Sequence, residues 1–119
     1  MNIDFNTEIS KCKLNGMPSE NDSFILKRNF SKQEMEILKQ GHIAREMEDK
    51  WCGYFEDGKL YIHRSWTKHC IYILKFNEAN NYHEVIVNRD KKQYLCTDIS
   101  KDISAINLIL NSWIWRKYE

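Results

Sequence analysis

At 119 residues the chain has room for one hydrophobic core and not for two, and its 42% apolar, 13% aromatic and 29% charged residues exclude a disordered chain. Eighteen basic residues against seventeen acidic ones give a formal charge of +1, which leaves no general electrostatic pull toward nucleic acid or anionic lipid. Neither a nucleic acid nor a membrane is therefore an expected partner, and no stretch approaches the roughly 20 apolar residues that span a bilayer.

The four cysteines, Cys12, Cys52, Cys70 and Cys96, are widely spaced, with no C-x-x-C pair and no short Cys/His run of zinc type. The start MNIDFNTEIS has neither a basic stretch nor an apolar run of signal-peptide kind. Free thiols in a reducing cytosol, with no metal and no cofactor, are the expectation. Lys, Asn and Ile are plentiful and Ala is scarce, a bias expected of an AT-rich bacterial or phage genome. With four Trp and six Tyr, some rings are left over from the core to line a groove.

In chain order, residues 1–23 read as an irregular segment of turn residues (Asn6, Asn15, Gly16, Pro18, Asn21), in which Ile3 and Phe5 alternate as in a short strand. Phe24 to Leu26 is a brief apolar run. Ser31 followed by Glu34 predicts a capping box, with Phe30 and Met35 as hydrophobic staple, for a helix over 31–40 that stops at Gly41. Residues 42–49 read either as a further helical turn or as a linker.

Trp51 to Phe76 reads as three strands. Asp57-Gly58 is a strong hairpin turn, and folding about it sets Phe55 opposite Leu60, Tyr54 opposite Tyr61, Cys52 opposite His63 and Trp51 opposite Arg64. Period two then puts Trp51, Phe55, Leu60, Ile62 and Arg64 on one face, the core side, and Cys52, Tyr54, Tyr61, His63 and Ser65 on the other. Cys70 to Phe76 is apolar on both faces and should be central. A strand over Tyr82 to Asn88, a charged turn over 89–92 and a short edge strand over Tyr94 to Cys96 follow. The chain closes with a helix over 101–115, capped by Asp98 or Ser100. Its apolar stripe is Ile103, Ile106, Ile109, Leu110, Trp113 and Ile114, and Trp115 lies off it. The fold expected is a single α+β domain, a four- to five-stranded antiparallel meander sheet with two flanking helices on one face.

The best candidate for a site is the polar cluster between the second and third of these strands. Arg64 on a mainly apolar face is costly to bury unless an anion meets it, and stacking on Trp51 contributes on the order of 1 kcal/mol; the alternative is a strand-end arginine reaching water over the ring. Ser65, Trp66, Thr67 and Lys68 offer two hydroxyls, an indole and an ammonium, a phosphate and ribose contact set with a ring to stack a base, or else a polar turn. His63 opposite Cys52 has the residue types of a nucleophile and base, though a structural pair fits better. His69 beside Cys70 reads the same way, and His42 and His83 stand alone. Arg89, Lys91 and Lys92 read as a solvated turn, and Glu46, Glu48 and Asp49 as a charged linker.

The run EDGKLYIHRSWTKHCIY resembles the motif DG-x-LYFHRSWTG-x-CIY of a small bacterial domain associated with proteins of ADP-ribose and NAD metabolism. The likeness covers residues 47–76, and Lys68 stands where the motif has Gly. The resemblance implies that Trp51, Tyr61, His63, Arg64, Ser65, Trp66 and Thr67 recur as a unit and that the ligand is ADP-ribose-like. A single domain of AT-rich composition then reads as a stand-alone binder, such as a phage protein that sequesters a nucleotide signal. Arg64 and Lys68 are then expected on phosphates, Ser65 and Thr67 on phosphate or ribose oxygens, and Trp66 or Trp51 against the base. Two alternatives stand beside it. One is a nucleotide or ADP-ribosyl hydrolase using His63 or His69 with Glu46 or Asp49. The other is an inhibitor or immunity-type interaction module using exposed Trp113, Trp115 and Tyr118. Unpaired edges and surplus aromatics also invite a homo-oligomer.

Overall fold

The computed structural model describes residues 4–118, and their side chains as far as Arg116, so Ile3 of the proposed N-terminal alternation and the Tyr118 side chain lie outside the described parts. The elements in chain order are α1 (Phe5–Lys13), β1 (Asn21–Lys27), α2 (Lys32–Lys39), β2 (Trp51–Glu56), β3 (Lys59–Arg64), β4 (Cys70–Lys75), β5 (Tyr82–Asn88) and α3 (Ile99–Tyr118). All strand pairs are antiparallel, in the order β1-β5-β4-β3-β2. The architecture is the expected α+β one, with a third helix added.

The β2–β3 hairpin follows from its turn. Asp57 and Gly58 take φ of 53° and 76°, the left-handed pair that matches strand twist, and the register from Trp51↔Arg64 to Glu56↔Lys59 is the one the pattern dictates. Between β3 and β4 the register shifts by one after Ile62, so that Cys70 rather than Ile71 comes opposite His63. The capping box of α2 is complete: Ser31 Oγ accepts from Glu34 N at 3.1 Å, and Glu34 Oε1 accepts from Ser31 N at 2.9 Å. Gly41, at φ 71°, ends that helix as expected.

Two expectations are corrected. The fifth strand is β1, paired along its whole length with β5, and not Tyr94–Cys96. After Asn88 the chain turns away, Gln93 N and Tyr94 N both donating to Asp90 O, and Tyr94 spends its side chain on Tyr72 and Asp102 instead of its backbone on a ladder. The N-terminal segment is not irregular, because residues 5–13 form α1, capped by Asp4, whose carboxylate accepts from Asn6 N. Only Ile9 and Cys12 of this helix are buried, which leaves no apolar stripe to read.

Helices α2 and α3 pack on one sheet face. There Leu38, Ile106, Leu110 and Trp113 meet Leu60, Ile62, Tyr72, Leu74, Val85 and Val87, each such side chain contributing roughly 1.5–3 kcal/mol on burial. Helix α1 covers the other face beside β2, where Cys12 meets Cys52 and Lys13 lies over the Tyr54 ring. Trp113 is buried against Gly53, where an added Cβ would come within 2.8 Å of the indole. It is therefore core and not an exposed contact residue, whereas Trp115 is 72% exposed as its position off the stripe predicts. Among the described residues no helix is long and apolar enough to cross a membrane.

Candidate functional site

The connection between β3 and β4 is a tight turn closed by Lys68 N donating to Arg64 O and Arg64 N to His69 O, both at 2.9 Å. Ser65 ties it to the linker before β2: its amide donates to Lys50 O at 2.9 Å and its hydroxyl to Asp49 O at 2.7 Å. Lys68 takes φ 65°, a left-handed conformation that costs a residue with a Cβ roughly 1–2 kcal/mol. The turn thus has a shape that suits Gly while carrying Lys. The ammonium offsets part of the cost, donating to Ser65 O at 2.6 Å and pairing with Glu8 of α1 at 2.8 Å. Burial opposes the charge on Lys68, but the bond to Glu8, its charge and the neighbouring thiols Cys52 and Cys12 together outweigh it and hold the pKa up.

Strand alternation then divides the expected contact set. Arg64 points to the helix-bearing face, its guanidinium 4.3 Å from the centroid of Trp51 and 6.0 Å from that of Tyr94. Among the described residues no carboxylate or other acceptor bonds to this guanidinium. Ser65 and Lys68 go toward α1 and are committed to partners within the protein. His63 is buried there too, its Nδ1 within 2.8 Å of Lys68 O and hence the protonated nitrogen. Its Nε2 is the one fully buried side-chain polar atom without a partner among the described residues, and burial lowers the pKa of the ring. Cys52 lies opposite His63 in register, but its sulfur meets Cys12 at 3.4 Å and makes no bond to the imidazole. The nucleophile-and-base arrangement is not formed.

What remains together is an open cleft of about 370 Å³ lined by Met47, Lys50, Arg64, Trp66, Thr67 and Gln93. Trp66 is 67% exposed at its rim, its indole N–H 3.4 Å from Met47 O. Of the seven residues expected to act together, Arg64, Trp66 and Thr67 line this cleft, with Trp51 stacked on Arg64. Lys50, Met47 and Gln93 were not foreseen; Lys50 carried the one available signal, a cation adjoining Trp51.

Tyr94, which also faces Arg64, is fixed from below. Asp102 is wholly buried, with Oδ1 accepting from the hydroxyls of Tyr72 (2.9 Å) and Tyr94 (3.0 Å), and Oδ2 from Arg89 (2.6 Å). Burial and the adjoining carboxylate push both phenols up, so their protons stay in place. Arg89 is therefore an anchored residue and not part of a solvated turn.

A second cleft, of about 530 Å³, is lined by Phe5, Gln40, Gly41, His42, Ile43, Arg45 and Arg116. In it His42 Nε2 lies 2.6 Å from Asp49 Oδ2, and Arg116 donates to the same oxygen at 2.7 Å. The imidazole stacks on Trp113, with centroids 5.1 Å apart, and the His42 backbone exchanges both its hydrogen bonds with Gly53. Burial raises the pKa of Asp49, but His42 and Arg116 together outweigh it and hold the carboxyl below its ordinary range. His42 is thus not isolated, and Asp49 is more than a linker charge; the non-periodic stretch between them gave no sequence signal for the pairing. Among the described residues no group of His, Cys, Asp and Glu side chains is arranged to hold a metal ion. Comparison of the chain with protein-family models, with curated proteins and with solved structures finds no match.

Proposed function

We propose that the protein binds a nucleotide-type anion of the ADP-ribose class in the Arg64–Trp66 cleft and holds it without turning it over. The observation that carries this reading is the Arg64 guanidinium: five donors in a planar fork, stacked on Trp51, half-buried, and bonded to no acid among the described residues. Such a group is complementary to phosphate. Lys50 adds a second cation, Thr67 a hydroxyl for a phosphate or ribose oxygen, and the exposed Trp66 indole a platform for a base. A cleft of about 370 Å³ falls in the range of small-molecule sites. Lys68 and Ser65 leave the contact set and support the turn instead. In a phage or bacterial setting such a binder sequesters a nucleotide signal. Calorimetric titration with ADP-ribose and its cyclic derivatives tests the idea: heat and a thermal upshift are expected, and their joint absence with every such ligand overturns it.

A second reading rests on the His42–Asp49 pair. A histidine oriented by a buried carboxylate beside two arginines has the parts of a general base facing an anionic substrate, which supports a nucleotide or ADP-ribosyl hydrolase. His63 is unsuited to that role, being buried and without a carboxylate partner. The two readings separate on the fate of the ligand. Recovery of intact ADP-ribose after denaturing the complex supports the binder; conversion that is lost in His42→Ala supports the hydrolase.

A further inference from the structure

Outside both clefts, the packing of α1 on the sheet places two thiols in contact. Cys12 from the last turn of α1 and Cys52 from β2 have their sulfurs 3.4 Å apart, both side chains are buried, and 40 positions of chain separate them. Helix α1 is otherwise held by little: Ile9 is its one other buried side chain, and the ion pairs Glu8–Lys68 and Lys13–Glu56 lie at the rim. An element with so few apolar contacts opens locally more readily than the sheet unfolds, which gives a reagent access to the pair.

We propose that Cys12 and Cys52 form a reversible dithiol–disulfide couple, closed by low-molecular-weight disulfides and reopened by thiols, that locks α1 onto the sheet. Closure begins with the Cys12 thiolate attacking one sulfur of the oxidant RSSR. The RS–SR bond breaks, a Cys12–SR bond forms, and the first RS⁻ leaves and takes up a proton. Cys52 then loses its proton and attacks the Cys12 sulfur, expelling the second RS⁻, which is protonated in turn. The protein has lost two electrons and two protons, and the oxidant has become two RSH. The sulfurs must approach from 3.4 Å to about 2.05 Å, a movement within reach of side-chain rotation and a small shift of α1.

The surroundings favour this pair over the other thiols. Removal of one proton from the Cys12–Cys52 pair is eased by the hydrogen bond from the second thiol, which outweighs the opposing effect of burial, and then by the charge of Lys68. Cys70 is pushed up to about 12 by burial, and Cys96 sits alone near the start of α3. Because α1 also carries Glu8, the partner of Lys68, closure fixes the support of the turn that bears Trp66 and Thr67.

The test uses the full chain, incubated with glutathione disulfide, denatured in an alkylating reagent and mapped by mass spectrometry. Two of the four thiols should be protected, in a Cys12–Cys52 cross-linked peptide that dithiothreitol removes, and the oxidised protein should melt higher than the reduced one. Cys12→Ser and Cys52→Ser should each abolish protection and the melting shift, whereas Cys70→Ser and Cys96→Ser keep both. The proposal is overturned if all four thiols of the unsubstituted chain stay open to alkylation, or if the cross-link joins a different pair. The peptide map of that chain decides the matter even where a variant folds poorly.

Discussion

Arg64 and Lys68, the two cations at either end of one tight turn, leave the sheet on opposite faces: Arg64 lies 4.3 Å over Trp51 beneath the α3 side, and Lys68 bonds Glu8 of α1 at 2.8 Å. Their substitutions should therefore have opposite signatures. Arg64→Ala should weaken ADP-ribose-type binding tenfold or more, about 1.4 kcal/mol, while changing stability by less than about 1 kcal/mol, since no acceptor among the described residues is orphaned. Arg64→Lys should recover only part of the affinity, because the planar fork and its stacking are lost. Lys68→Ala should do the reverse, lowering stability and leaving affinity within about threefold. Paired calorimetry and urea melts read both quantities, and equal affinity losses in the two alanine variants would contradict the division of the site.

The left-handed backbone at Lys68 yields a cleaner comparison. Lys68→Gly and Lys68→Ala both remove the ammonium and its bonds to Glu8 and Ser65, so they differ chiefly in what occupies φ 65°. Glycine takes that conformation without the Cβ clash, and Lys68→Gly should be the more stable of the two by about 1 kcal/mol. Urea denaturation of both proteins measures the difference. An alanine variant as stable as the glycine one would mean that the turn does not hold this conformation.

Asp102 is the acid on which the packing of α3 depends most. With Arg89 and two phenols directed at it, removing its charge leaves a mostly buried guanidinium without its partner. Asp102→Asn should cost about 3 kcal/mol, the low end for a broken buried pair because Arg89 keeps some contact with water. Since Tyr94 would lose its anchor beside Arg64, ligand affinity should fall as well. A variant that melts within a few degrees of the parent would show that the network adds little.

How much of this was legible depended on periodicity. The β2–β3 register, the α2 capping box and the α3 stripe were readable because each rests on a repeat or a local pair of residues. Helix α1 was not, since two buried side chains make no stripe, and β1 showed only Phe24 and Leu26 turned inward. The division of the site was implicit in the same alternation that set the register: Arg64 and Ser65 are neighbours and must point apart. Grouping them by adjacency in sequence overrode that parity. Asp102 was also within reach, lying four positions before Ile106 on the apolar stripe, where a carboxylate needs a buried partner. The His42–Asp49 pair was out of reach, because a linker without repeat or regular turn leaves no pattern to fold.

His63 gives the fold a dependence on pH whose sign is fixed. Burial lowers the pKa of the ring from its ordinary 6.5, against the opposing bond to Lys68 O. The unfolded chain therefore binds a proton near pH 6.5 while the native state still refuses it, and stability falls as pH drops through that window. The contribution is complete above about pH 6.5 and is lost progressively on the way down to the native value. Asp49, held below its ordinary 3.8, adds a second loss of the same sign at lower pH, where its bonds to His42 and Arg116 give way to protonation. Urea midpoints taken between about pH 7.5 and pH 5.5 should decline in the parent protein and decline less in His63→Gln, which keeps a side-chain N–H for Lys68 O without a titratable ring. The difference between the two curves isolates this residue from the other histidines. Parallel curves would show that the buried imidazole does not set the acid sensitivity of the fold.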